Sequence, residues 1–400
     1  MTAGPTGSGG SELPPVPPQR RLQRALPASW YLSDEGFQRE RERVLYQQWF
    51  CAGRADQVER PGSLVVVDVA GESVLLVRTR AGELRAHYNL CRHRGSQVVP
   101  TGPPPPGDPQ AAPARKAGSL RCPYHSWTYR LEGDLLRAPW SEEIDGFDPS
   151  SFGLHPVGVA TWGGFVFLHL TPSGAVPLAD QLGPVPERLR RYPLDALRVG
   201  RRLAYDVRAN WKLVAENYNE CYHCAGVHPE LCRVVPAFKR GGAGLDWERG
   251  IPHREGAWTF TASGQTTRAP FPGLDADERT RHKGELVYPN LMLSLSADHV
   301  AAFTLWPHGP AATTIVCELL FHPDELASPG FDPSDAADFW DLINRQDWAM
   351  CESVQRGMAS RAYTGGWFAP MEEPSLDIRR YLLERLQGAG EPDGEPGAAR

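Results

Sequence analysis

Four hundred residues with 41% hydrophobic side chains can bury one large core or two moderate ones. The net charge of −6, from 42 Lys and Arg against 48 Asp and Glu, leaves no basic footprint for nucleic acid. No apolar run reaches the length of a membrane span, and the first residues lack the basic-then-apolar order of a secretion signal, so the expectation is a cytoplasmic protein with no membrane partner.

Residues 1–20 are Gly, Pro and Ser with hardly an apolar anchor, and a disordered tail is expected to run to about residue 30. Ser33 and Asp34 open a helix carrying Phe37, Val44 and Leu45. From Gly53 the texture changes to short β-branched runs, SLVVVDVA, ESVLLVRT and LRAHYNL, broken by Gly-bearing turns: a small antiparallel domain. Its loops hold Cys91-Arg92-His93 and Cys122-Pro123-Tyr124-His125. Each half offers one thiolate and one imidazole. A Cys2His2 set can hold zinc, but C-x-H is too tight for the usual zinc-finger spacing. Two cysteines on one iron and two histidines on the other describe a Rieske 2Fe–2S centre, which passes single electrons. Tyr124, Ser126 and Tyr129 either tune such a cluster or pack around its loop, and packing is the expectation for Tyr129. The 28 residues between His93 and Cys122 include a Pro/Gly/Ala excursion expected on the surface.

Strands resume in LHPVGVATWGGFVFLHL at 154–170, with Gly163-Gly164 as a hairpin turn or bulge and a domain boundary near 165. A helical connector over 175–193 and a strand over 197–210 lead into NWKLVAENYNECYHCAGVHPELC at 210–232. Asn210 can cap a helix with Trp211, Val214 and Tyr218 on one side. His223 and His228, five apart, miss the i,i+4 helical face, but can converge on one metal if the helix loosens near Gly226. With a downstream acid such as Asp347, in QDWAMCESVQRG, two histidines and one carboxylate form the facial triad of non-haem Fe(II), which keeps positions open for O2. A solvated helix face is the competing reading for that acid, and Asp338, Asp341 and Glu352 are rivals. Cys221, Cys224 and Cys232 are either thiolate ligands or small buried reduced side chains, and Cys51, Cys317 and Cys351 belong to the core. Residues 236–285 flank or cover the site. Alternation over 287–323 gives an antiparallel cavity floor, and helices over 334–356 and 375–386 close the fold before a disordered tail at 388–400.

CRHRGS at 91–96, CPYHSWTY at 122–129 and NWKLVAENYNECYHCAGVHP at 210–229 together resemble the alpha, or terminal oxygenase, subunits of Rieske-type non-haem iron oxygenases, over about Tyr31 to Leu386. The resemblance implies an α+β fold: a small antiparallel β Rieske domain at 31–165 and a larger catalytic domain at 166–387 with an antiparallel sheet flanked by helices. It implies that Cys91, His93, Cys122 and His125 hold the cluster, and that His223, His228 and Asp347 hold the mononuclear iron. Glu220 falls where the family carries the acid bridging the two metal centres of neighbouring subunits, and Asn217 joins it as a catalytic candidate. A homotrimer is implied, with O2 as co-substrate and NAD(P)H electrons arriving through a separate flavin and iron-sulfur reductase. The three crowded cysteines are then buried and reduced. Glu at the bridge and VQRGMASRAY at 354–363 resemble the branch acting on choline, glycine betaine, carnitine and proline betaine. Cation–π attraction gives such a site its basis, with Trp258, Phe260, Trp306 and Tyr288 as candidates. The alternatives are an aromatic-ring mono- or dihydroxylating oxygenase, and a Rieske electron-transfer protein, which would end near residue 160.

Overall fold

A computed structural model describes residues 22–101, 114–141, 143–242 and 244–386. The expected tails at 1–20 and 388–400 and most of the Pro-rich excursion lie outside these residues. Among the described residues no helix is long and apolar enough to cross a membrane.

The fold is α+β, built on two large antiparallel sheets. The first has seven strands in the order Phe50–Arg54, Phe165–His169, Pro156–Trp162, Leu84–Tyr88, Glu72–Arg78, Ser63–Val69 and Arg115–Lys116. A three-stranded sheet, Leu120–Arg121, Thr128–Tyr129 and Leu135–Arg137, caps it and carries the second Cys/His loop. Gly163 and Gly164 make the expected hairpin, at φ 57° and 74°, in the left-handed region that glycine enters without a Cβ penalty. The second sheet has six strands in the order Arg198–Val207, Ala312–Phe321, His299–Gly309, Leu291–Leu295, Arg281–Val287 and Ile251–Pro252. Its register pairs Gly284 with Ser294, Leu286 with Met292, and Met292 with Phe303, so these side chains form one row on one face. The long helix Ser334–Met358, the short helix Trp211–Tyr218 and the last helix Glu373–Leu386 pack together beside it.

Two expected boundaries move. Residues 22–30 are not tail: Gln23–Arg24 pairs with Trp367–Phe368, Ser29–Leu32 is helical and Leu26 is buried. The first sheet also runs past 165, because Phe165–His169 pairs with both Phe50–Arg54 and Pro156–Trp162 and cannot leave that sheet without breaking two ladders.

The N-terminal helix Asp34–Glu40, capped by Ser33, docks on the catalytic half through charge. Glu40 Oε1 accepts from Lys212 Nζ at 2.5 Å and Glu40 Oε2 from Trp211 Nε1 at 2.9 Å, with Glu40 and Lys212 almost wholly buried. Tyr31 Oη donates to Glu216 Oε1 at 2.5 Å. Charges this deep persist only when paired, and removing one partner strands the other.

Candidate metal centres and cavity

Two loops of the first domain bring Cys91, His93, Cys122 and His125 together. The cysteines are buried and unpaired, while the histidines are exposed with ring centroids 4.7 Å apart. His93 stacks on Trp127 at 5.1 Å and 11°, which fixes its ring. Each loop is tightened by its own backbone: Gly95 N donates to Cys91 O, and Ser126 N to Cys122 O. Two inner thiols and two outer imidazoles form the donor set a Rieske 2Fe–2S cluster needs, so these residues fit that group. Packing alone does not describe Tyr129. Its hydroxyl lies 3.2 Å from Cys91 Sγ and accepts from Arg92 N at 3.0 Å, because the strand Thr128–Tyr129 turns its buried ring under the first loop. Burial pushes the Cys91 thiol up, while the Tyr129 hydroxyl pulls it down.

The second centre is built where a helix breaks. Asn210 caps Trp211–Tyr218, accepting from Lys212 N at 3.1 Å. The chain then turns through Asn219–Tyr222, forms the single turn Cys224–Val227, and bends at His228 (φ −121°, ψ 65°) before Pro229–Val234. This break aims both imidazoles at one point. His228 Nε2 lies 2.8 Å and His223 Nε2 3.3 Å from Asp347 Oδ1, and one ligand atom from each of the three lies within 4.8 Å of the others. The outer nitrogens are held as well: His223 Nδ1 by Glu220 Oε1 at 2.5 Å, His228 Nδ1 by Gln346 Oε1 at 2.7 Å. Bonds of this kind fix tautomer and orientation in histidine metal sites. The three residues therefore fit a facially bound Fe(II). Without a metal, burial disfavours the His223 imidazolium, but Asp347 and Glu220 override it and push its pKa up to about 10. Burial raises the Asp347 carboxyl, and the two histidines more than offset that, holding it below the usual carboxylate range. Asn217 Nδ2 lies 3.4 Å from His223 Nε2, on the metal side of that ring.

The crowded cysteines depart from expectation. Cys221 and Cys224 are joined as a disulfide with Cα atoms 5.0 Å apart, and neither is a free buried thiol. A tight turn closed by Cys224 N donating to Cys221 O at 3.2 Å holds the two residues within bridging distance. Cys232 is free and buried.

The triad opens on a cavity of about 640 Å³. Its walls include Tyr218, Phe260, Phe303, Trp340 and His282, with Met292 and Ser294 from the sheet. Trp340 is locked in place: its Nε1 donates to His299 Nε2 at 2.9 Å, His299 Nδ1 bonds Asp298 at 3.0 Å, and Asp298 is anchored by Arg268 at 2.9 Å. With its N–H turned away, Trp340 presents aromatic surface beside Phe260 and Phe303, at centroid distances of 5.4 and 5.7 Å. Of the four aromatic candidates from the sequence, Phe260 and Tyr288 line the cavity. Trp306 packs on Phe50 at 5.5 Å and Trp258 on a separate buried cluster. Phe303, Trp340 and His282 were not singled out. Strand alternation placing Phe303 with Met292 was the available signal for the first.

Comparison with known proteins matches these halves. Residues 48–148 match the Rieske [2Fe-2S] domain, and 194–388 the ring hydroxylating alpha subunit catalytic domain. The glycine betaine monooxygenase oxygenase subunit of Chromohalobacter salexigens is 30% identical, over 92% of this chain and 91% of that one. The carnitine monooxygenase oxygenase subunit of Escherichia coli K12 is 28% identical, over 85% and 86%. Among solved structures, a quaternary ammonium Rieske monooxygenase superposes with a TM-score of 0.73 at 23% identity, covering 92% of this chain and 95% of that one. Naphthalene 1,2-dioxygenase from Rhodococcus sp. gives 0.67 at 21%, covering 91% and 95%. With two metal-type donor sets in place on this fold, the chain belongs to the alpha subunits of the Rieske-type non-haem iron oxygenases.

Proposed function

We propose that this chain is the terminal oxygenase of a monooxygenase that hydroxylates or oxidatively N-demethylates a small quaternary ammonium compound, of the class of glycine betaine, choline or carnitine. The observation that carries this reading is the triad's opening onto a cavity walled by Phe260, Phe303 and Trp340. Aromatic faces attract a desolvated quaternary ammonium, which cannot hydrogen-bond. The wall and rim carry Glu248, Glu285, Glu373 and Asp377 against Arg188 and Arg380, so the approach is acidic and favours a cation.

Cys91, His93, Cys122 and His125 would hold the cluster, and His223, His228 and Asp347 the Fe(II); together the two groups supply one-electron delivery and O2 activation. The chain's own residues do the rest. Glu220 holds His223 through Nδ1, and Gln346 holds His228, so both rings stay oriented through turnover. The exposed edges of His93 and His125 face outward, where a neighbouring subunit of a homotrimer would bring its Glu220 against them. A NAD(P)H-fed flavin and iron-sulfur reductase in the cytoplasm would supply the electrons.

The test is turnover of the purified protein with a reductase, NAD(P)H and O2 on glycine betaine, choline, carnitine and naphthalene, with products read by mass spectrometry. Oxidation of a quaternary ammonium compound is expected. Oxidation of the aromatic hydrocarbon alone would replace this reading with ring hydroxylation.

A further inference from the structure

One polar side chain in the cavity wall has no task in the fold. His282 is 5% exposed, lines the cavity and stacks on Phe260 at 4.0 Å and 16°. It lies on the strand Arg281–Val287 on the same face as Gly284 and Leu286, which also line the cavity. Its Nδ1 is sealed inside the wall without a partner, whereas Nε2 is not sealed and makes no hydrogen bond among the described residues, so Nε2 is the ring atom left open to the cavity. Burial, reinforced by His253 and His299, holds its pKa well below the usual histidine value, so the ring is neutral, with one N–H and one lone pair.

Most of its neighbours are occupied, although His253 Nε2 is also buried without a partner. His253 Nδ1 bonds Thr280 O, and His299 spends both nitrogens on Asp298 and Trp340. Tyr218 Oη donates to Leu293 O, Asn344 Nδ2 to Tyr205 Oη, and Arg188 forks onto Glu285. Among the cavity-lining residues, only Trp348 Nε1 shares His282's condition of a buried polar atom without a partner, and it adjoins Asp347. An unbonded imidazole nitrogen open to a largely apolar cavity has no protein partner to satisfy it, and a ligand in that cavity can reach it.

We propose that His282 is a specificity-determining residue: its imidazole hydrogen-bonds the oxygen-bearing end of the substrate while Phe260, Trp340 and Phe303 take the methylated nitrogen. This deepens the function proposed above and rests on it. Because His282 stacks directly on Phe260, the oxygen and the ammonium must sit side by side. The geometry selects a short spacer between them, as in glycine betaine or choline.

The test is calorimetric titration of the anaerobic holoenzyme with glycine betaine (a carboxylate), choline (a hydroxyl) and n-propyltrimethylammonium (no oxygen). His282→Phe keeps an aromatic ring on Phe260 and removes the polar atoms. It should weaken at least one oxygen-bearing ligand about tenfold or more, and whichever of the two weakens identifies the oxygen recognised. The n-propyltrimethylammonium Kd should stay within about twofold. His282→Gln, which returns an N–H, should recover part of the loss. Should His282→Phe fail to retain the cluster's visible spectrum, His282→Asn and His282→Gln carry the same three-ligand comparison. Equal weakening of all three ligands, or no change, overturns the assignment and leaves the quaternary ammonium reading standing. If the unaltered protein binds none of the three, this assignment falls, and the turnover test with carnitine decides the quaternary ammonium reading separately.

Discussion

Asp347 shows what a single residue owes to its position on a helix. Its rivals lie elsewhere: Asp341 accepts from Tyr205 at 2.7 Å and Arg345 at 2.7 Å, Glu352 holds Arg208 N at 3.0 Å, and Asp338 is exposed on the helix surface. Only Asp347 meets both histidines. Asp347→Ala is expected to lose the mononuclear iron, by metal analysis, while the cluster's absorption spectrum is unchanged. Glu220→Gln keeps the side chain's size and removes its charge beside His223. Outer-shell partners of metal-bound histidines are typically worth 10- to 100-fold, so turnover should fall by about that much with iron and cluster retained. Loss of the iron in that variant would make Glu220 a structural support of the site. The candidate ligands were legible in the sequence because thiolates, imidazoles and carboxylates at these spacings carry their own chemistry. The cavity aromatics were not, because one residue's difference in strand parity decides which side of a sheet a ring faces. Phe303 faces the cavity, whereas Trp306, of opposite parity on the same strand, packs on Phe50.

At the scale of elements, the helix Trp211–Tyr218 is held from behind by charge. Lys212 is fully buried against Glu40, and Glu216 sits against Tyr31 one turn later. Burial raises the Glu216 carboxyl to about 7, although the Tyr31 hydrogen bond and Lys212 pull the other way. A carboxyl raised on folding stabilises the fold fully below its unfolded pKa near 4.5, and that contribution is lost as pH rises through about 7. The difference corresponds to roughly 3 kcal/mol. Glu216→Gln should therefore flatten the fall in melting temperature between about pH 5 and 8, followed by circular dichroism. A variant whose profile parallels the parent's would mean that Glu216 is ionised throughout. Capping and periodicity made this helix readable, since Asn210 and the apolar spacing are local signals. Its buried partners were not readable, because Glu40 and Lys212 meet across 172 positions of sequence.

Over the whole molecule, the cluster loops end in an apolar rim that no described residue covers. Tyr124, Leu136 and Ile144 are exposed, and Trp140 is 89% exposed near His93 and His125. If a neighbouring copy covers this rim in the proposed homotrimer, Trp140→Glu should raise the dissociation constant of that assembly at least tenfold in analytical ultracentrifugation and leave the cluster spectrum intact. An unchanged assembly would place any interface elsewhere. The chain's connectivity carries a separate consequence. Residues 29–45 pack on the catalytic half: Tyr31 on Glu216, Glu40 on Lys212, Arg39 on Leu386 O. The first sheet is then entered at Phe50 and left at His169, and those two crossings are adjacent: Gln47 Nε2 reaches Thr171 Oγ1 at 3.3 Å, and Gln47 O lies 3.0 Å from His169 Nε2. In topological terms the electron-transfer module is an insert threaded through one doorway of an otherwise closed host. Its two ends start and finish at the same place, so a relative's module grafted between Gln47 and Thr171, with the Cys51–Asn290 bonds kept, is expected to leave the helices that carry His223, His228 and Asp347 in register.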